Sequence, residues 1–233
     1  MTEPAALLPA IELQTRAHPD ASVIWLHGLG ADGSDFVPLV DALPLPAGVG
    51  VRFVFPHAPV RPVTINAGLR MRAWYDIVAA DFTARVDLAG LRESQRQLDA
   101  LVARECQRGI VPERIVVAGF SQGGAVALHA GLRYPDRLAA VIALSTYLAD
   151  PDSLPAQASP ANRRVPLFMA HGREDPLVRV EWGEASRRLL EARGYPVEWH
   201  TYPMPHAVVA EEIAAIGAFL GRVLRRPGAA PPG

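Results

Sequence analysis

Ile115-Val116-Val117-Ala118-Gly119-Phe120-Ser121-Gln122-Gly123-Gly124 is the stretch from which the fold is read. An apolar run, Ile115 to Ala118, enters a Gly-x-Ser-x-Gly pattern, and a helical segment leaves it through Gln122. In that context the serine sits on a tight strand-to-helix turn, with its hydroxyl at the carboxyl edge of a sheet. The flanking glycines give the turn room, because a side chain there would meet the neighbouring strand or helix. The helix start also directs backbone N–H groups toward negative charge developing beside the serine. A blander reading takes the same residues as a Gly/Ser helix start used only for packing. Which reading holds depends on whether the rest of the chain supplies the serine with partners.

A serine hydroxyl is a poor nucleophile until a base accepts its proton. His206, the last histidine of the chain, follows the strand pattern Val197 to Tyr202 on the loop Pro203-Met204-Pro205-His206. In an α/β-hydrolase the chain order is serine, acid, histidine, which suits that position. His200 is the rival, but it lies inside the strand pattern. The acid belongs between Ser121 and His206, just past a strand end. Glu174 and Asp175 both qualify in His171-Gly172-Arg173-Glu174-Asp175-Pro176-Leu177-Val178. The Asp-Pro step favours a turn that projects Asp175, which is the better candidate; the bland alternative is an Asx turn at the same residue. An oxyanion needs two N–H donors. One is the Gln122 amide, directly after the serine. The other belongs on the glycine-rich loop His27 to Gly33, after the strand Ser22 to Leu26. That loop also carries the spacing of a dinucleotide fingerprint (Gly28, Gly30, Gly33). A nucleotide site leaves Ser121, Asp175 and His206 unexplained and lacks a clear acid about 20 residues on.

Further out, short apolar runs alternate with helical patterns. Ser22 to Leu26, Val51 to Phe55, Ile115 to Ala118, Ala140 to Leu144 and Val165 to Ala170 read as strands. Their continuous hydrophobicity indicates burial on both faces and a parallel sheet. Val197 to Tyr202 alternates more, as an edge strand would. Leu88 to Cys106, Gln122 to Arg133, a segment around Trp182 to Leu190 stopped by Gly194, and Val208 to Leu224 read as helices. This is an α/β class, a mostly parallel doubly wound sheet of α/β-hydrolase type without a large cap. Residues 1–19 form an N-terminal segment with room for a first strand, 20–224 the domain, and 225–233 a loose tail. Pro56 to Asp87 and Ala149 to Arg164 are long irregular stretches and candidate pocket walls.

The 233 residues carry 23 basic and 24 acidic side chains, for a net charge of −1. That balance argues against nucleic acid or an anionic membrane as the main partner. All the basic residues are Arg, a base-composition effect without functional meaning. Cys106 is the single cysteine and makes no internal disulfide, which suits a reducing compartment. It falls on an apolar helix face and is expected in the core. No run approaches the roughly 18 apolar residues of a spanning helix. The first residues lack a signal-peptide pattern. The expectation is a cytoplasmic protein. His27, His57 and His171 cluster at the active edge without metal-site spacing.

The segments Leu26 to Gly30, Phe55 to Pro59, Arg72 to Asp76, Gly119 to Gly124 and His171 to Pro176 share the order and spacing of one family. The chain resembles a small bacterial carboxylesterase of the phospholipase/carboxylesterase family, which includes the acyl-protein thioesterases. The resemblance spans about residues 20 to 224. It implies serine hydrolysis of carboxyl esters or thioesters, with Ser121 as nucleophile, His206 as base and Asp175 as orienting acid. It also implies an oxyanion hole from the Leu29 and Gln122 amides. The family's pocket is a shallow groove shaped by loops, which Gly28, Trp74, Tyr75 and Leu177 would line. One departure stands out: the family's histidine loop reads Met-Gly-His, and here it is Met204-Pro205-His206. Proline fixes φ near −65°. Either the loop needs no positive φ or His206 is displaced.

The resulting expectation is a cofactor-free and metal-free hydrolase of small-molecule esters with short to medium acyl chains. Thioesters and lysophospholipids are further substrate classes, and a homodimer through exposed loops fits the family. The competing readings are a silent ligand-binding protein of the same fold and an acyltransferase using the same triad.

Overall fold

The computed structural model describes residues 7–45, 48–79 and 85–225 of the chain. Residues 1–6 and all of the expected tail except Arg225 lie outside the described residues. The strands in chain order are β1 (Ala10–Gln14), β2 (Ala21–Leu26), β3 (Val51–Pro56), β4 (Val60–Val63), β5 (Leu69–Arg72), β6 (Ile115–Phe120), β7 (Ala140–Leu144), β8 (Leu167–Gly172) and β9 (Val197–Tyr202). The helices are α1 (Leu39–Ala42), α2 (Leu88–Gln107), α3 (Gln122–Gly131), α4 (Leu154–Gln157), α5 (Val180–Ala192) and α6 (Ala210–Val223). Seven strands form one sheet in the order β1-β3-β2-β6-β7-β8-β9. All neighbours run parallel except β1, which pairs antiparallel with β3 at one edge.

The two faces follow from strand alternation. Ile24, Val54, Val117, Val141 and Met169 face one layer, where they meet Leu98 and Leu101 of α2, Ala127 of α3 and Leu190 of α5. Val23, Phe53, Val116, Ile142 and Phe168 face the other, against Leu39 of α1 and Ile216 and Phe219 of α6. β2 and β3 are buried along their whole length, whereas β9, at the far edge, is half-buried throughout. Asp87 caps α2 by accepting the Gly90 N–H at 2.9 Å, the side-chain oxygen serving one of the amides that a helix start leaves unpaired. In the first turn of α6, Glu212 is buried. Burial pushes its carboxyl up to about 8, against the pull of the Val209 N–H at the helix start.

Four expectations need correction. The strand placed at Val165 to Ala170 runs from Leu167 to Gly172. Pro166 has no N–H to give a ladder, and His171 continues the strand, pairing in register with Thr201 of β9. Pro56 to Asp87 is not irregular throughout: β4 and β5 form an antiparallel hairpin with a 3-10 turn at Thr64–Asn66. No residue from Ala149 to Arg164 bounds the cavity on which Ser121 opens. The stretch holds α4 and a 3-10 turn, and buried Asn162 ties it to the body by accepting from Leu138 N–H and donating to the Tyr134 and Asp136 carbonyls. Cys106 is half-buried against the core rather than inside it, and it is a free thiol.

Candidate active site

Ser121 is placed by the junction of β6 and α3, in a backbone conformation with φ 55° and ψ −120°. A non-glycine residue there costs about 1–3 kcal/mol and persists only where its surroundings over-determine it. Here they do. The Ser121 N–H donates to the Leu144 carbonyl at 2.8 Å, and its carbonyl accepts from Thr146 Oγ1 at 2.7 Å and from the Ala125 N–H at 3.1 Å. Backbones approach closely around it. A Cβ at Gly119 would lie 2.3 Å from the carbonyl carbon of Gly123, and one at Gly123 would lie 2.4 Å from the Leu26 carbonyl oxygen. Glycine is required at both positions by contact rather than by dihedral angle.

Asp175 follows β8 on a turn, with its side chain fully buried. Oδ1 accepts the Leu177 N–H at 2.9 Å and the Val178 N–H at 2.8 Å, while Oδ2 lies 2.6 Å from His206 Nδ1. The Asx turn and the pairing with the histidine are therefore simultaneous roles of one carboxylate. Burial alone would raise its carboxyl. The His206 hydrogen bond and the two amides outweigh burial and leave it below the usual range. An ionised Asp175 makes Nδ1–H of His206 the donor and leaves Nε2 with its lone pair. Pro205 does not displace the imidazole, and positive φ is absent at that position. The loop needs no glycine. Glu174 is exposed and its N–H donates to Met204, while His200 pairs with Glu198 and stacks on Phe168 within β9. Neither rival reaches the site.

The loop after β2 is fixed by a histidine that the sequence left without a role. The Ala58 N–H donates to His27 Nε2 at 3.1 Å, so Nδ1 carries the proton and donates to the Gly28 carbonyl at 2.7 Å. Burial holds this ring below its ordinary value, hence neutral. Carbonyl 28 and amide 29 belong to one planar trans peptide, so pinning the Gly28 oxygen turns the Leu29 N–H the opposite way. The Gln122 side chain makes a second tie: Oε1 accepts the Trp74 N–H at 2.8 Å and Nε2 donates to the Tyr75 carbonyl at 2.7 Å. Neither the Leu29 nor the Gln122 amide has a protein acceptor among the described residues.

Ser121 and His206 open on one cavity of about 450 Å³. Among the described residues no hydrogen bond joins Ser121 Oγ to His206; such bonds are commonly long before substrate arrives. The cavity is bounded by Gly28, Leu29, Ala31 and Asp35 on one loop and by Ile65 and Asn66 at the hairpin tip. Tyr75, Ile77, Phe120, Tyr147, Leu177 and Val178 complete it. Of the expected pocket residues, Gly28, Tyr75 and Leu177 bound this cavity, and the expected oxyanion residue Leu29 lies beside them. Trp74 does not. It is 1% exposed, inside the core, where its Nε1–H donates to the His27 carbonyl at 2.9 Å; an indole N–H buried next to the loop finds its acceptor there instead of facing substrate. Tyr147 was not anticipated; its hydroxyl lies 3.0 Å from that of Tyr75. His171 sits beneath the acid, its Nε2 2.8 Å from the Val178 carbonyl. Among the described residues no group of three or more His, Cys, Asp or Glu is arranged to hold a metal ion. Nor is any helix long and apolar enough to cross a membrane.

Comparison with known proteins follows the same lines. The profile of the family described as Phospholipase/Carboxylesterase matches residues 9–224. Acyl-protein thioesterase 1 of Gibberella zeae is 40% identical over 213 residues, spanning 88% of this chain and 91% of that protein. Acyl-protein thioesterase 1 of Neurospora crassa is 40% identical over 227 residues, spanning 93% and 90%. Among solved structures, Zea mays acyl-protein thioesterase 2 superposes with a TM-score of 0.81 at 28% identity, over 93% of this chain and 100% of that one.

Proposed function

The chain belongs to the phospholipase/carboxylesterase family and is a serine hydrolase of esters or thioesters; from that premise we propose that Ser121, His206 and Asp175 form its catalytic triad. The observation that carries the assignment is the 2.6 Å hydrogen bond between buried Asp175 and His206, with His206 opening on the same cavity as the strained Ser121.

Ser121 Oγ attacks the acyl carbonyl carbon while His206 Nε2 takes its proton. The tetrahedral oxygen receives the Leu29 and Gln122 N–H groups, which were aimed before substrate arrived. The intermediate collapses, the acyl–oxygen or acyl–sulfur bond breaks, and the alcohol or thiol leaves with the proton from Nε2. Water, deprotonated by the same nitrogen, then attacks the acyl-enzyme and releases the acid. Asp175 keeps the imidazole in the required tautomer and stabilises the imidazolium. No step calls on a metal or cofactor.

Leu29, Ile65, Ile77 and Leu177 give the cavity an apolar wall suited to an acyl chain of short to medium length. Thioesters and lysophospholipids fall within the same chemistry. A cytoplasmic setting and a homodimer through exposed loops complete the proposal, the latter open to sedimentation analysis. The relatives named above are fungal and plant proteins; the bacterial character rests on the sequence alone.

The test is hydrolysis of p-nitrophenyl esters from acetate to palmitate by wild type and Ser121→Ala. The variant is expected to lose at least about a thousandfold in kcat, with the wild-type optimum sizing the acyl cavity. Equal activity of the two would sink the triad. Failure of the wild type to label with a serine-directed phosphonate favours the ligand-binding alternative. Ester formation from added alcohol favours acyl transfer.

A further inference from the structure

Asp35 is the one carboxylate among the residues bounding the cavity. It stands on the loop after β2, just beyond the oxyanion segment, and its N–H donates to the Asp32 carbonyl at 3.2 Å. Its neighbour Asp32 is satisfied within the chain, accepting from Ser34 N–H at 2.7 Å and Ser34 Oγ at 2.6 Å. Asp35 has no such partner among the described residues. Burial first, and then the like charge of Asp32, raise its carboxyl, while the residue stays exposed to solvent. Arg72, whose charge is felt at Asp32, donates to the Ala58 carbonyl at 2.9 Å and makes no ion pair with Asp35. The wall of an otherwise apolar cavity therefore carries one negative charge without a counter-ion.

Its place in the cavity gives that charge a target. Phe36, the next residue, has its ring 5.7 Å from that of Phe120, and the Phe120 ring lies 4.6 Å from the His206 ring. The loop that carries Asp35 is thus tied to the histidine side of the cavity through Phe36 and Phe120. A departing alcohol or thiol takes its proton from the proposed base His206 and so leaves on that side, which leaves the apolar wall of Ile65 and Ile77 to the acyl chain. We infer that Asp35 is a specificity-determining residue that selects esters and thioesters whose leaving group bears a positive charge. The inference rests on the triad proposed above and adds the chemistry of the leaving group to it.

The experiment compares kcat/KM for butyrylcholine with that for 3,3-dimethylbutyl butyrate, which has the same shape with carbon in place of the charged nitrogen. The ratio is taken within each enzyme, so any general change in activity cancels. Wild type is expected to show a ratio about two- to fivefold above that of Asp35→Asn, the range of an exposed ion pair. The wild-type ratio should also contract between about 0.02 M and about 0.5 M salt, as screening demands. The same pair of measurements on an S-butyryl cysteine peptide flanked by Arg or by Ala shows whether the cation belongs to a small alcohol or to a basic peptide. Equal ratios in the two enzymes overturn the inference. If Asp35→Asn does not fold, a wild-type ratio indifferent to salt overturns it instead. Loss of the neutral ester's hydrolysis in wild type strikes the triad and not Asp35, so the two failures are told apart.

Discussion

Ser121 and His206 open on one cavity, yet the chain secures the two side chains by different means. Around Ser121 the holding is done by main chain: a positive φ, hydrogen bonds through its own N–H and carbonyl, and glycines at 119 and 123 that let backbones touch. Around His206 the loop has main-chain ties too, through Met204 and Pro205, but the imidazole itself is held by side chains, the Asp175 carboxylate and the Phe120 ring, and without positive φ. The proposed nucleophile's position is set by the fold itself and is strained. The proposed base sits on a loop without positive φ, and its ring orientation depends chiefly on one carboxylate. Substitutions at the two places should therefore fail differently, one by disturbing the structure and the other by disturbing only the chemistry.

The largest separation is expected at Asp175→Asn. Its amide oxygen can still accept from Leu177 and Val178, so thermal stability should change little. Its NH₂ faces Nδ1 and forces the imidazole proton onto Nε2, which removes the proposed base. The kcat should drop by about 10³- to 10⁴-fold. A melting temperature that collapses along with the activity would break the comparison. Next comes Gly123→Ala, whose methyl would meet the Leu26 and His27 carbonyl oxygens. Main chain cannot yield as a side chain tip does, so a loss of about 1–3 kcal/mol is expected, together with weakened activity as the turn moves off the oxyanion loop. Denaturant unfolding measures the first and ester hydrolysis the second; an unaltered midpoint would mean the elbow is softer than its contacts imply. The smallest effect is expected at Pro205→Gly. It should cost about 0.4–1 kcal/mol through a freer unfolded chain while leaving kcat within about a factor of two. A larger gain in kcat would show that proline holds the histidine off its best position.

The same contrast explains what the sequence made legible. The elbow is a local device, with glycine, serine and glycine at fixed spacing between an apolar strand and a helix, so Ser121 could be read directly. Asp175 and His206 were legible through chain order. The hairpin was not, because Val60 to Val63 and Leu69 to Arg72 are short, mostly solvent-facing and full of arginine. His171 was placed just past a strand end rather than inside β8, since a buried histidine is indistinguishable in sequence from an exposed one. Asp35 and Tyr147 come from distant segments and meet at the cavity only after folding. Trp74 misled because an indole serves a core and a pocket equally well. The role of the Gln122 side chain was not legible because its partners, the Trp74 N–H and the Tyr75 carbonyl, lie far off in the chain and meet it only after folding.

Glu212, far from this chemistry, gives the whole molecule a proton inventory. Its carboxyl is buried at the start of α6 and pushed up to about 8, while in the unfolded chain it titrates near 4.5. Between those values the folded state holds a proton that the unfolded chain has released, so folding at neutral pH takes up hydrogen ion from the buffer. The sign follows: this residue's contribution to stability is intact below about 4.5 and is lost as pH rises toward 8. The stability advantage of Glu212→Gln over wild type should therefore widen steadily across that interval. Calorimetry in buffers of different ionisation enthalpy should find about one fewer proton exchanged in the variant at pH 6.5.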